Sequence, residues 1–319
     1  MINKVSTADL SRDEWLELRK KGIGGSDAGA VVGLNKYKSV FDVVADKLGF
    51  APEQQDNERM RQGRDLEEYV AIRFTEATGK TVRRDNAIIT NTDYPFALAN
   101  IDRKVVGEKA GLECKTTTHL TYRRYLNGEF PEEYYVQCMH YLMVTGYDRW
   151  YLAVLVFGEE LKVFTIERDE REIKALSEAE KAVWEQYVLK GKLPPAQGFD
   201  ASDEIISNIV GTEENDKQAD CTLYLDELKR LSEIKSRIKE LKSEQTTIEQ
   251  NIKLFMDDAA YGYADGYKIS YKSSNRTKYD IDSYIKNELD NDSSVLEQYK
   301  KTTKIRTLRI TEEVNKDDE

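Results

Sequence analysis

Leu98-Ala99-Asn100-Ile101-Asp102, a short polar turn, and then Gly111-Leu112-Glu113-Cys114-Lys115-Thr116 form the stretch whose reading decides the fold. Both ends are strand-like in composition and are expected to lie side by side. Side chains two apart on a strand share a face, so Glu113 and Lys115 emerge together while Cys114 points the other way. Asp102, ending the first strand, adds a second acid to that pair. Two carboxylates offer hard oxygen ligands for Mg²⁺ or Mn²⁺, and a lysine ammonium can hold a water or neutralise a developing phosphate charge. The spacing alone is equally what a hairpin with a surface Glu and Lys produces.

Two features favour the chemical reading. Leu98, Ala99, Ile101 and Leu112 are apolar, which puts the acids at the edge of buried strands. Upstream, Gly63-Arg64-Asp65-Leu66-Glu67 opens a helical run carrying a third acid. Asp102 followed by Glu113-x-Lys115, preceded by G-x-x-x-E and followed by a helix with Gln137, resembles the PD-(D/E)xK nuclease superfamily. Within that superfamily the chain is similar to the YqaJ-type viral recombinases, relatives of the phage lambda exonuclease. The resemblance covers about residues 8 to 195, and its motifs are specific in combination and weak singly.

Composition narrows the field. At 319 residues the chain is long enough for one sizeable domain and an appendage. It has no run of 18 apolar residues, and Met1-Ile2-Asn3-Lys4-Val5-Ser6 lacks the apolar segment of a signal peptide, so a cytosolic protein is expected. The resemblance places it in a bacterial host, encoded by a phage or prophage. Three scattered cysteines, Cys114, Cys138 and Cys221, are too few for a disulfide framework, a zinc site or a four-cysteine iron–sulfur cluster. Two histidines, His119 and His140, give little support to histidine-centred metal chemistry. The net charge of −11 is unusual for a DNA-binding protein. It is unevenly spread, with 19 Lys and Arg against 26 Asp and Glu in residues 201–319, and 29 against 33 in residues 1–200. The first part is thus near neutral and compatible with a basic groove.

In chain order, Ser11 with Glu14 three residues on predicts a capped helix over 10–20. Gly22-Ile23-Gly24-Gly25-Ser26-Asp27 breaks it before a second helix start. A tight turn explains this segment, and glycines before a helix also let backbone amides approach an anion. The resemblance adds that W-x-x-L-R followed by a small-residue turn and serine matches the family's N-terminal motif. By it, Arg19 and Ser26 bind the 5′-phosphate of a DNA end. Helices are expected over 39–49, over 57–79 bearing Glu67, over 133–146, and over 169–193 up to Pro194-Pro195. Periodicity leaves Glu67 and Glu68 equivalent; the family's G-x-x-x-E spacing selects Glu67. Strands are expected at 80–90, 96–102, 105–106 and 111–117, and as a hairpin at 150–157 and 161–166 turning at Gly158-Glu159-Glu160. Many relatives carry a second Gln where this chain has Met139, which weakens a paired-glutamine contact beside Gln137.

The last third reads differently. Leu231, Ile234, Ile238, Leu241, Gln245, Ile248, Ile252 and Phe255 alternate spacings of three and four, a coiled-coil-like seam with one polar position. It could self-associate, pack in cis or meet a partner. Short strands at 266–273 and 303–310 flank a helix at 281–289, and the acidic end from Glu312 is expected to be disordered. The expected division is residues 1–200 as exonuclease domain, 201–258 as linker and long helix, 259–311 as a small α+β tail, and 312–319 as the acidic end.

The expected fold is α/β, a restriction-endonuclease-like core with a mixed central sheet flanked by helices, plus the C-terminal extension. The resemblance implies that Asp102, Glu113 and the Cys114 backbone carbonyl ligate Mg²⁺, with Mn²⁺ able to substitute, and that Glu67 completes the shell directly or through water. Lys115 would position the hydrolytic water, and Gln137 would stand against the active site. It further implies 5′→3′ resection of linear double-stranded DNA, transfer of the 3′ strand to a RecT-type single-strand annealing protein, and a trimeric ring around DNA. Three alternatives stay open: a structure-specific or nicking endonuclease of the same fold, a non-catalytic end-binding scaffold, and an interaction protein led by the C-terminal segment.

Overall fold

The computed structural model describes residues 1–52, 57–118, 131–158, 161–211, 218–265 and 267–273. The expected helix at 281–289, strand at 303–310 and acidic end lie outside them, as do His119 and the Glu159-Glu160 turn. Two compact units are present, Met1–Gly211 and Thr212–Glu319.

The first unit contains, in order, β1 (Ile2–Ser6), α1 (Arg12–Arg19), α2 (Gly25–Val31), α3 (Val40–Lys47), α4 (Glu58–Thr78), β2 (Val82–Arg84), β3 (Ala87–Asn91), β4 (Leu98–Asn100), β5 (Arg103–Val105), β6 (Ala110–Thr117), α5 (Glu132–Thr145), β7 (Arg149–Val156), β8 (Leu161–Glu167), α6 (Glu170–Val183) and α7 (Asp200–Val210). The main sheet has order β2-β5-β6-β7-β8. Its β6–β7 pair is parallel and its other pairs are antiparallel. A parallel pair needs a crossover, and α5 lies in that connection. β7 (RWYLAVLV) is buried almost throughout because both of its faces are covered. Trp150, Leu152 and Val154 join the cluster with Cys138 and Leu142 of α5 and Ile173 and Leu176 of α6. Tyr151, Ala153 and Leu155 join the opposite one with Val70, Ala71 and Phe74 of α4. The same alternation on β6 sends Leu112 toward α4, and so sends Glu113 and Lys115 toward α5. The expected mixed sheet between helices is what the chain forms.

Four expectations change in detail. Leu98–Asn100 and β6 are not neighbours: β4 closes a separate three-stranded sheet of order β1-β3-β4, and β5, immediately after Asp102, pairs with β6 through Arg103↔Leu112 and Lys104↔Gly111. The single strand expected at 80–90 is two, β2 and β3, one in each sheet. The helix from 170 ends its regular α portion at Val183 and continues as a π turn over Trp184–Val188, with Trp184 packed against the core. The boundary expected after residue 200 would cut α7 behind its first residue, and the whole of α7 belongs to the first unit. Ile205 packs with Phe41 and Ala45, and the Ser202 hydroxyl donates to Asp42 Oδ1 at 2.7 Å.

The second unit contains α8 (Leu225–Met256) and a hairpin of β9 (Tyr261–Ala264) and β10 (Tyr267–Ser270). On α8, Ile234, Ile238, Leu241, Ile248, Ile252 and Phe255 of the expected seam are exposed.

Candidate active site

Asp102 stands at the break where the chain leaves the β1-β3-β4 sheet and enters the main one. It is not free to swing, because its Oδ2 accepts the Cys114 N–H at 2.8 Å and its carbonyl accepts from Arg103 Nη1 at 2.8 Å. The first bond ties Asp102 to the strand that carries Glu113 and Lys115. Glu113 is buried, and its Oε1 accepts from Lys115 Nζ at 2.6 Å and from Gln137 Nε2 at 2.7 Å. Gln137 also donates to the Tyr141 hydroxyl, 2.8 Å away. Glu113 Oε2 is buried without a hydrogen-bond partner. A buried carboxylate oxygen left without a donor is costly, and a cation is what would relieve it.

The electrostatics agree. Burial first, then the charge of Glu113 and that of Glu67, push the Asp102 carboxyl well above the usual range, against the pull of Lys115 and the Cys114 N–H. Burial opposes the Lys115 ammonium, but the charges of Glu113 and Asp102 outweigh it and push its pKa above the ordinary lysine value. Lys115 accordingly stays an ammonium at neutral pH, also sitting 5.0 Å from the Tyr134 ring centroid. It can orient a water or a phosphate oxygen and cannot serve as a resting base. Burial raises the Cys114 and Cys138 thiols, which leaves neither as a nucleophile.

Glu67 occupies a different place. Its Oε1 is paired with Arg103 Nη1, whose Nη2 donates to Glu68 Oε2 at 3.0 Å. Both acids that periodicity left equivalent thus grip one buried guanidinium, and Arg84 adds a second bond to Glu68, 3.0 Å. Among the described residues no three His, Cys, Asp or Glu side chains gather to hold a metal by themselves. Asp102 and Glu113 offer two hard carboxylate donors, of the kind a divalent cation takes together with water. A cleft of about 340 Å³ opens at Asp102, lined also by Arg103, Glu67, Arg84, Asn100 and Trp15.

Arg19 and Ser26 are brought together as expected from the sequence motif. Arg19 Nη2 donates to Ser26 Oγ at 3.0 Å, and the guanidinium carbon lies 4.8 Å from the Trp15 ring centroid. Behind them, sequence reading missed a buried charge cluster. Asp27 accepts from Gly24 N–H at 3.1 Å and pairs with Lys38 at 2.7 Å and Lys47 at 2.8 Å. Burial works against the Asp27 charge, yet Lys38, Lys47 and Arg19 hold its carboxyl well below the usual range. The signal was present as a helix-start aspartate three residues after Gly24, but nothing local tells a buried Asp from an exposed cap. The α2 start also reaches the acids. A Cβ on Gly25 would come within 2.5 Å of the Tyr141 ring, whose hydroxyl is bonded to Gln137. Only glycine lets the turn approach that closely.

The mixed sheet between helices, with Glu113 and Lys115 on the side of α5 and Asp102 at the entry to β5, defines a protein of the α/β class. Residues 14–148 match the model of the YqaJ-like viral recombinase domain. The chain is 40% identical over 314 residues to the Bacillus subtilis (strain 168) protein described as "Uncharacterized protein YqaJ", covering 97% of each. The chain therefore belongs to the YqaJ-like viral recombinase family. Among solved structures it is similar to the alkaline exonuclease LHK-Exo of Laribacter hongkongensis, at 20% identity over 55% of this chain and 91% of that one, with a TM-score of 0.47. It is also similar to a phage-related exonuclease of Haemophilus somnus 129PT, at 14% identity over 56% and 100%, with a TM-score of 0.41. Among the described residues no helix is long and apolar enough to cross a membrane.

Proposed function

We propose that the chain is a metal-dependent deoxyribonuclease that resects linear double-stranded DNA 5′→3′, leaving 3′ single strands for a RecT-type annealing protein. The observation that carries this reading is Glu113: a buried carboxylate with one oxygen held by Lys115 and Gln137 and the other unpartnered. Membership of a recombinase family supplies DNA as the substrate.

Asp102, Glu113 and the Cys114 carbonyl would hold Mg²⁺ or Mn²⁺. When bound, the ion would supply a Lewis acid for the phosphodiester and lower the pKa of attacking water. Lys115 keeps its proton and donates to the attacking water or to a non-bridging phosphate oxygen. Gln137, braced by Tyr141, fixes the Glu113 carboxylate. Glu67, through Arg103, holds the Asp102 carbonyl. Arg19 and Ser26 receive the terminal 5′-phosphate, for which a guanidinium fork and a hydroxyl at a helix start are suited. A ring of three copies around the duplex would provide processivity.

The test uses purified protein with Mg²⁺ on 5′-phosphorylated linear duplex, the same duplex without phosphate, and a covalently closed circle. Linear DNA should be degraded, fastest with the phosphate, and the circle spared. Lys115→Ala should slow degradation by about 100-fold or more. Equal cutting of circles would replace this reading with the endonuclease one. No cleavage in either Mg²⁺ or Mn²⁺ would overturn it.

A further inference from the structure

We infer that the β9–β10 hairpin is a second nucleic-acid site, a platform that binds single-stranded DNA by stacking bases on Tyr263 and holding phosphates with Lys268 and Lys272. Residues directly opposite in an antiparallel pair share a face. The register Tyr263↔Lys268 and Tyr261↔Ser270 therefore gathers these four on one side. Lys272 joins them, with its Nζ 4.3 Å from the Tyr261 ring centroid; that of Lys268 lies 5.4 Å from the same ring. The opposite side carries Gly262 and Ile269 and rests on Met256: a Cβ on Gly262 would meet Ile269 at 3.6 Å and Met256 at 3.7 Å, and Met256 is buried. One face of the hairpin thus docks on the end of α8, and the Tyr/Lys face is turned outward.

That outward face runs against the character of the chain. A protein of net charge −11 here presents two tyrosines, two lysines and a serine with no carboxylate among them. The sequence extends the pattern. Residues 261–279 contain five of the chain's nineteen tyrosines and four cations, Lys268, Lys272, Arg276 and Lys278, against one acid, Asp265. Tyr263 is 74% exposed and Tyr261 44%. Both ammonium groups collect over Tyr261, which leaves the Tyr263 ring open beside a pair of cations. An open aromatic face next to cations is what unpaired bases and their backbone bind, because every base offers a π-face and every linkage a charge. Duplex DNA hides its base faces, so the tyrosines favour a single strand; the lysines alone would not discriminate. The choice of DNA as the polyanion rests on the nuclease reading above, whose product is a single strand.

The experiment measures anisotropy of a labelled oligothymidylate against the full chain in EDTA, where cleavage cannot intervene. Tyr263→Ala should weaken binding about five- to tenfold, with Tyr263→Phe near wild type. Lys268→Gln with Lys272→Gln should flatten the dependence of log K on log salt by about one to two. Circular dichroism and the rate of linear-duplex degradation in Mg²⁺ should match wild type in all three variants. Unchanged oligothymidylate affinity in Tyr263→Ala would overturn the inference. So would equal loss of duplex and single-strand binding, or a change in sedimentation coefficient showing that the face joins two protein chains. If degradation is absent in the wild type while Tyr263→Ala still loses single-strand affinity, the nuclease reading alone falls.

Discussion

Asp27 shows how a single side chain organises the corner that holds Arg19 and Ser26. It is buried, and its two oxygens are held by lysines from different places in the chain, Lys38 and Lys47. Its depressed pKa means that the ionised form is stabilised by folding. That contribution is complete above the unfolded carboxyl value of about 3.9 and is lost as pH falls through the lower folded value. Asp27→Asn should therefore destabilise the protein by about 3 kcal/mol in urea unfolding at pH 7, because Lys47 loses its buried counter-ion and keeps only the longer contact to Asp46, 3.4 Å. Its stability should also vary less than that of wild type between about pH 4 and pH 2. Wild-type-like acid sensitivity in the variant would show that Asp27 is not the group responsible. At this scale the sequence made Asp102, Glu113, Lys115, Gln137, Arg19 and Ser26 legible through their motif. The Arg103 link between Glu67 and Asp102 was not legible, since an arginine following an aspartate reads as surface charge until its burial is known.

Among elements, the contact of α2 with α5 sets the position of the glutamine that grips Glu113. Gly25→Ala would drive a methyl group into the Tyr141 ring. Overpacking of this kind costs about 1–3 kcal/mol, and relief by moving Tyr141 would disturb its bond to Gln137. Degradation of linear DNA should consequently fall by more than the loss of stability explains, when both are measured at a temperature where the variant is folded. Helix identities were legible because their caps are local: Ser11 with Glu14 forms the expected capping box, and Asn57 caps α4. Strand partnership was not, because pairing of β5 rather than β4 with β6 depends on a chain break at Asp102 that alternation does not encode. On α8 the seam was legible while its partner was not. Two parallel copies in register would face Arg230 with Lys235, Arg237 with Lys242 and Glu244 with Glu249, like charges each time.

For the whole molecule, the division at Gly211 predicts two independent folding units. Calorimetry of the full chain should show two transitions, and residues 1–211 alone should keep the first within about 2 °C. The shortened chain should retain degradation of linear duplex and lose the tyrosine-dependent affinity for single strands. One transition, or loss of degradation on truncation, would show that the units depend on one another. The net charge conceals its own distribution, because it averages a near-neutral first unit, an acidic end and a hairpin rich in tyrosine and lysine.

Asp102 stands where one sheet hands the chain to another, and its carboxylate is hydrogen-bonded to the strand on the far side of that joint. The gap between the two acids is therefore a gauge of the angle between the sheets. Asp102 and Glu113 would hold a divalent ion together at one setting of that angle only, so a tilt of the small sheet would cost the proposed cation site one of its acids without moving any residue of β6. Substitutions far from the acids, wherever they let β1-β3-β4 rock, would then be read out as lost metal affinity.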